Sequence, residues 1–435
     1  MLLSFKHSEV DFKELFTSFQ PSLAECLYKL MTFYQKLHQE EKDIVSMKSS
    51  IDADIFPVIM KTNAKFQKII KTTIEIGKNL GDAFVWFFYI DNREELDKHF
   101  EHKATGLYVG GIGGLGELNF IKNKQFIDRY YVVYHGITNI LRIGDFTLYD
   151  FDKGFVGVGE LKTKKENDEL KVSASITSKV NIDLPPSQDD EKTFDDWIKD
   201  LQKDFPKIKE QIGVHSELMK LKPIDNSSDV STDYEYDLIN LMSEDSPITI
   251  NNDNSLLLLG TWSKYDSLFE RLSNIEEATA LPDNFNDKVS TLTKPESIYN
   301  EFILGKLNTT TTILSIPLLW WDIEDEKCRD LYFYKLEVAT IFNPAKLLQK
   351  YVDDGFKIID FGELKKIKIQ KEFDGKRIRL ERFDAICYLV VNSLMETNKV
   401  YESSKIVSDM IENQGFTQNT KVDLKIHLDN FGKRT

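Results

Sequence analysis

Apolar side chains recur at three- and four-residue spacing from about residue 9 to residue 90, in LFTSFQPSLAECLYKLMTFYQKL and again in FQKIIKTTIEIGKNLGDAFVWFFY, with few Gly or Pro interruptions. That spacing puts one apolar stripe on a helix and predicts an N-terminal helical region. A glycine-dense stretch, GLYVGGIGGLGELNF (106–120), interrupts it, and the period then changes to two. YYVVYHG, LRIGDFTLYD, FVGVGELKTK and ELKVSASITSK read as four successive strands separated by turns. A polar loop, DLPPSQDDE, follows, then an amphipathic helix in TFDDWIKDLQKDFPKIKEQI and a compact apolar strand, SLLLLGTW (255–262). Beyond about 265 the chain holds four helical segments, YDSLFERLSNIEEA, DLYFYKLEVATIF, RFDAICYLVVNSLME and SSKIVSDMIENQG, and one β-prone run, TTTTILSIPLLWW. The expected organisation is an N-terminal helical region (1–65), an α+β core (66–262) and a mixed α/β C-terminal domain (263–435).

Hydrophobic residues make up 41% of the 435 positions and charged residues 29%, which is ordinary globular composition, so the question becomes one of sites. Cys26, Cys328 and Cys387 share no C-x-x-C spacing, which argues against a disulfide framework or thiolate zinc site and points to a reducing compartment. The N-terminal stretch has no apolar signal-like region, and runs such as LSIPLLWW are too short to cross a bilayer. A cytoplasmic protein without a membrane partner is the expectation.

A net charge of -15 and a pI near 5.1 run against a nucleic-acid partner, because phosphate binding usually shows as excess Lys and Arg. The average conceals local patches. Acid is concentrated in 187–200 and 227–245, whereas KTKK (162–165) and the run from Lys365 to Arg382 are basic.

The strands LRIGDFTLYD and FVGVGELKTK are joined by FDKG, a composition suited to a tight turn. Centring that turn on Asp152 and Lys153 pairs Asp145 with Glu160, Ile143 with Lys162, Thr147 with Val158 and Tyr149 with Val156. Opposed side chains lie roughly 4.5–5.5 Å apart, so two carboxylates there repel unless a divalent cation joins them. Mg²⁺ or Mn²⁺ takes such hard oxygen ligands, polarises a phosphodiester oxygen and lowers the pKa of a bound water. Lys162 points to the same face as Glu160 and is placed to orient water or to stabilise charge on the phosphate.

Asp145, a turn, then Glu160-Leu161-Lys162 on an apolar strand resembles the PD-(D/E)xK nuclease superfamily, with Gly144-Asp145 standing where Pro-Asp is usual. The resemblance implies a restriction-endonuclease-like core of helix, antiparallel β-meander, helix and strand over about 66 to 262. It further implies a Mg²⁺-dependent endonuclease with DNA as substrate, Asp145, Glu160 and Lys162 as catalytic residues and Asp145 and Glu160 as metal ligands. By analogy it implies a role in bacterial anti-phage defence. In the family an acid on the preceding helix often completes the site; Glu75 and Asp82, seven residues apart on one helical face, and Glu117 are the candidates. His135, Lys164 and Lys165 are candidate nucleic-acid contacts, and homo-oligomers or a partner defence protein are further expectations.

E-x-K also occurs as Glu363-Leu364-Lys365, without a facing acid at hairpin spacing, and reads as a surface salt-bridge pair. Gly111, Gly113 and Gly116 fit G-x-G-x-x-G, so nucleotide binding at the loop 106–116 is weighed, but no clear helix or strand-ending acid follows. His99 and His102 read as surface histidines and His135 as a satisfied buried one. Trp320-Trp321-Asp322 closes an apolar strand and reads as core, and the basic run 365–382 is either a nucleic-acid contact or a solvated face. The competing function is a non-catalytic nucleic-acid-binding or assembly protein with a degenerate nuclease fold.

Overall fold

The two periodic stretches form helices α1 (Phe12–Ser46) and α2 (Ile55–Trp86). Phe19 of α1 meets Phe84 of α2 at 4.7 Å between ring centroids, while Asn63 Nδ2 donates to Leu37 O at 3.2 Å. Early α1 therefore meets late α2 and the reverse, which makes an antiparallel helical hairpin. The structure, a computed structural model, describes residues 12–89, 96, 98–99, 102, 111–150, 154–166, 169–178, 235–263, 281–292, 301–307, 317–360, 366–373, 376–380, 383–402 and 404–405. The expected turn at Asp152 and Lys153, the polar loop and helix between 179 and 234, the helix near 265–278, TTTTILSI, the second E-x-K at 363–365 and all but two residues of the helical segment SSKIVSDMIENQG lie outside the described residues.

The glycine-dense stretch contains a helix where none was expected: α3 (Ile112–Asn123) starts at Gly111. Helical glycine costs about 1 kcal/mol relative to alanine, so local propensity argues against it. Packing decides otherwise, because a Cβ on Gly116 would lie 2.0 Å from Thr163 Oγ1. The missing side chain lets α3 close on the sheet.

That sheet is an antiparallel meander of five strands in chain order: β1 (Phe126–Ile127), β2 (Tyr130–Tyr134), β3 (Phe146–Asp150), β4 (Gly154–Glu166) and β5 (Glu169–Ser178). The long pairing of β4 with β5 carries the ladder out to Glu166 and Glu169. Buried Gln20 of α1 bolts the helical hairpin to β2: its Nε2 donates to Val132 O at 2.9 Å and its Oε1 accepts from Tyr134 N at 2.8 Å. The amide thus stands in for a neighbouring strand along an edge that β1 does not cover.

Strand β3 is shorter than LRIGDFTLYD suggests. Residues 135–137 form a 3₁₀ turn and the ladder starts only at Phe146, so Ile143 does not pair with Lys162. Side chains take the backbone donors that a strand would have used. Asp82 accepts from the N–H of Asn139 and Ile140, His99 Nδ1 accepts from the N–H of Arg142 and Ile143, and Gly144 adopts φ +72. Thr147 pairs with Val158 as expected, but a bulge after Leu148 shifts the register and sets Tyr149 opposite Phe155 instead of Val156.

After a short helix α4 (Asp237–Asn240), β6 (Ile248–Ile250) and β7 (Leu256–Trp262) enter a second antiparallel sheet of order β6-β7-β9-β8, with β8 (Ile303–Lys306) and β9 (Leu336–Phe342). The apolar strand 256–262 therefore pairs within the C-terminal part, and in the described residues it does not join the five-stranded sheet. A boundary at 262 separates β7 from its partner β9, and one at 65 falls inside α2.

Helices α5 (Phe285–Leu292), α6 (Asp325–Tyr332) and α7 (Ala345–Asp353) flank this sheet in sequence. DLYFYKLEVATIF is not one helix: α6 ends at Tyr332 and LEVATIF forms β9, whose burial alternates residue by residue, the period of a strand. A third sheet holds β10 (Lys357–Asp360), β11 (Lys368–Phe373) and β12 (Lys376–Leu380), followed by α8 (Phe383–Ser393).

Trp320 and Trp321 are buried as expected, although residues 318–320 form a 3₁₀ turn. Trp320 Nε1 donates to Ala83 O at 2.9 Å, tying the C-terminal part to the end of α2, and one apolar core runs through both. The protein is thus mixed α+β with antiparallel sheets and an N-terminal helical region, and no helix among the described residues is long and apolar enough to cross a membrane.

Candidate active site

Asp145 sits where the chain enters β3, and it grips β4 on both sides of Glu160. Its N–H donates to Gly159 O at 2.8 Å, and its Oδ2 accepts from Leu161 N at 2.6 Å. Glu160 and Lys162 are exposed on one face of β4, opposite Ser175 and Ser173 of β5. Phe146, Gly159, Leu161 and Thr163 alternate with them and face α3. Phe120 of α3 lies 5.4 Å from the Phe146 ring, and Gly159 leaves the room that this ring occupies.

Glu117 reaches the site from α3. The Tyr134 hydroxyl donates to its Oε2 at 2.5 Å. Burial raises the Glu117 carboxyl above the usual range, the tyrosine hydrogen bond opposes that shift, and the charge of Asp145 adds to it. Asp145 is likewise raised by burial, lowered by the Leu161 N–H and raised again by Glu160. Asp145 is therefore the electrostatic centre, coupled to Glu117 on the helix and to Glu160 on the strand. Of the three helix acids considered from sequence, Glu117 is the one that the structure links to Asp145.

The other two are placed differently. Glu75 is exposed on α2. Asp82, on the same helix, is fully buried and engaged by the Thr138 hydroxyl, the Asn139 N–H and side-chain amide, and the Ile140 N–H. It holds the turn ahead of the site, beside buried Lys78, whose Nζ donates to Thr138 O at 3.3 Å.

His135 is buried, so it supports the strand from beneath instead of reaching a ligand in solvent. Its Nδ1 lies 3.0 Å from Gly144 O and its Nε2 2.8 Å from Thr147 Oγ1. A carbonyl can only accept, so Nδ1 carries the proton and Nε2 accepts from the threonine hydroxyl. Burial pushes the ring's pKa down to about 3, with His99 adding to the shift. His99 is buried against it at 5.5 Å between ring centroids, correcting the surface reading, whereas His102 is exposed. The two rings fix residues 142–144 and through them Asp145.

No protein-family model, curated protein or solved structure matches the chain.

The donors around Asp145 are all hard oxygens, suited to Mg²⁺ or Mn²⁺. Among the described residues no three His, Cys, Asp or Glu side chains are gathered as a metal-holding group. Two carboxylates fit Mg²⁺ in particular, which keeps several waters and is commonly held by one or two acids. The raised carboxyls of Asp145 and Glu117 also fit a cation, because positive charge relieves both the burial of their negative charge and their mutual repulsion.

Lys164 and Lys165 are exposed farther along β4, on opposite faces. Gly111, Gly113 and Gly116 open or lie within α3, whose neighbours are antiparallel strands and not the parallel βαβ unit of a dinucleotide site. The basic run forms the hairpin of β11 and β12, with Lys366 and Arg379 exposed. Sequence reasoning missed Tyr134 and Gln20 and took His99 for a surface residue. The tyrosine-rich YYVVY strand carries the only local trace of Tyr134's role, and nothing local marks the other two.

Proposed function

We propose that the protein is a metal-dependent nuclease that hydrolyses phosphodiester bonds, with DNA as substrate and Asp145, Glu160 and Lys162 at its centre. One observation carries this reading: Asp145 bonds to β4 immediately before and immediately after Glu160, so two carboxylates share one level of the hairpin. Lys162 follows on the same face, roughly 6.6 Å along the strand.

Asp145 and Glu160 would hold Mg²⁺ or Mn²⁺, and Glu117 would add negative charge behind Asp145. Bound there, the ion supplies Lewis acidity toward the phosphate and a more acidic water. Lys162, exposed and flexible, donates to a non-bridging phosphate oxygen and offsets the charge that develops as the attacking oxygen adds. The buried histidine pair holds Asp145 in place through residues 142–144.

Cleavage of plasmid, single-stranded DNA and RNA with and without Mg²⁺ tests the reading. Glu160→Ala and Lys162→Ala should each abolish Mg²⁺-dependent cleavage while the circular dichroism spectrum is unchanged. Cleavage retained by either variant removes the assignment.

A further inference from the structure

Past Glu160, strands β4 and β5 continue together as a two-stranded ribbon to Glu166 and Glu169. Its two faces differ. On one, Thr163 meets Gly116 of α3. The other presents three cross-strand pairs in succession, Glu160 with Ser175, Lys162 with Ser173 and Lys164 with Lys171, and all six residues are exposed. Lys164 and Lys171 are direct partners, so two ammonium groups stand at one level of the ribbon, a placement that raises local positive potential. This face has no large apolar side chain in those three pairs, in a chain whose net charge is -15. Apolar partners gain nothing here, whereas a polyanion does.

Same-face positions are about 6.6 Å apart along a strand, close to two nucleotide steps of roughly 3.4 Å. Serine hydroxyls between the lysines can donate to phosphate oxygens. A two-stranded ribbon is also of a size that a nucleic-acid groove admits.

We infer that the open face of the β4–β5 ribbon is a phosphate-backbone track, running from Lys164 and Lys171 through Ser173 to Glu160 and Asp145, that seats a nucleic-acid strand for cleavage. The inference rests on the nuclease reading for its direction, but the binding face stands or falls by its own test.

Binding of fluorescent duplex DNA, single-stranded DNA and RNA is measured by anisotropy in EDTA across a salt series, and cleavage is measured separately in Mg²⁺. The double variant Lys164→Glu/Lys171→Glu should weaken binding roughly tenfold or more and reduce the slope of log affinity against log salt by about two. Thr177→Lys, which adds a cation on the same face opposite Val158, should tighten binding and steepen the slope. Unchanged binding in both variants, or no binding by the wild-type chain to any of the three ligands, overturns the track. Ribbon-dependent binding without Mg²⁺- or Mn²⁺-dependent cleavage leaves the track standing and removes the nuclease reading. Cleavage with ribbon-independent binding does the reverse.

Discussion

Oδ2 of Asp145 accepts the Leu161 N–H at 2.6 Å, so one carboxylate serves both as a brace across the β3–β4 hairpin and as the centre of an acidic group. Those two roles can be separated. Asparagine keeps an oxygen for the Leu161 N–H but removes the charge.

The Asp145→Asn variant should therefore lose metal binding without losing stability. Burial raises the Asp145 carboxyl, so its stabilising contribution is full below the ordinary carboxylate pKa and is lost as pH rises through the raised value. At neutral pH in EDTA the variant should melt at or above the wild-type temperature. Calorimetry should detect Mn²⁺ binding to the wild-type protein alone. A large drop in melting temperature, or retained Mn²⁺ binding, contradicts this division.

Gly116 is a packing requirement. A Cβ there would meet Oγ1, Cγ2 and Cβ of Thr163, so Gly116→Val should cost about 1–3 kcal/mol or more by overpacking. Thr163→Ala in the same chain removes two of those three atoms and should restore part of the loss. Urea denaturation of the single and double variants measures the coupling, and additivity would show that the contact is unimportant.

Gln20→Leu should destabilise by about 2–4 kcal/mol, since the buried donor Tyr134 N and acceptor Val132 O both lose their partner. Hydrogen exchange should accelerate at the Tyr134 amide in particular. Exchange that changes equally across the sheet would argue for a general loss of packing instead.

Glu235 supplies a pH dependence far from the candidate site. Burial pushes its carboxyl up to about 8, with Asp253 and Glu396 adding to the shift while Asn251 and Lys399 oppose it. Its folded pKa is raised, so the native state binds the proton more tightly than the unfolded chain. Stability from this group is full below about 4.5 and falls as pH rises toward about 8. Glu235→Gln should flatten that decline and exceed the wild-type protein in stability at the alkaline end, as read from denaturant midpoints across pH. A slope unchanged by the substitution would assign the decline to other groups.

The helices α1 and α2 were legible from sequence because an apolar stripe is a local pattern that only one face of a helix satisfies. The pairing of Thr147 with Val158 was legible for a similar reason, since period-two alternation on two strands of similar length gives that register. That logic brings Asp145, Glu160 and Lys162 into proximity from sequence alone. It failed two residues on, at Tyr149 toward the turn, because a bulge after Leu148 leaves no mark in the composition. Helix α3 was hidden by glycines whose value lies in a contact with Thr163, some forty-seven positions away. The partner of β7 was hidden too, because β9 is remote in sequence and many apolar strands would suit β7 equally by pattern. Local periodicity thus determined α1, α2 and the two strands that carry the candidate residues. Tertiary structure alone decided that Glu117 joins Asp145, that Asp82 and His99 are buried supports, and that β7 belongs to another sheet. Those choices depend on which distant surfaces exclude water together, and no short stretch of chain encodes that.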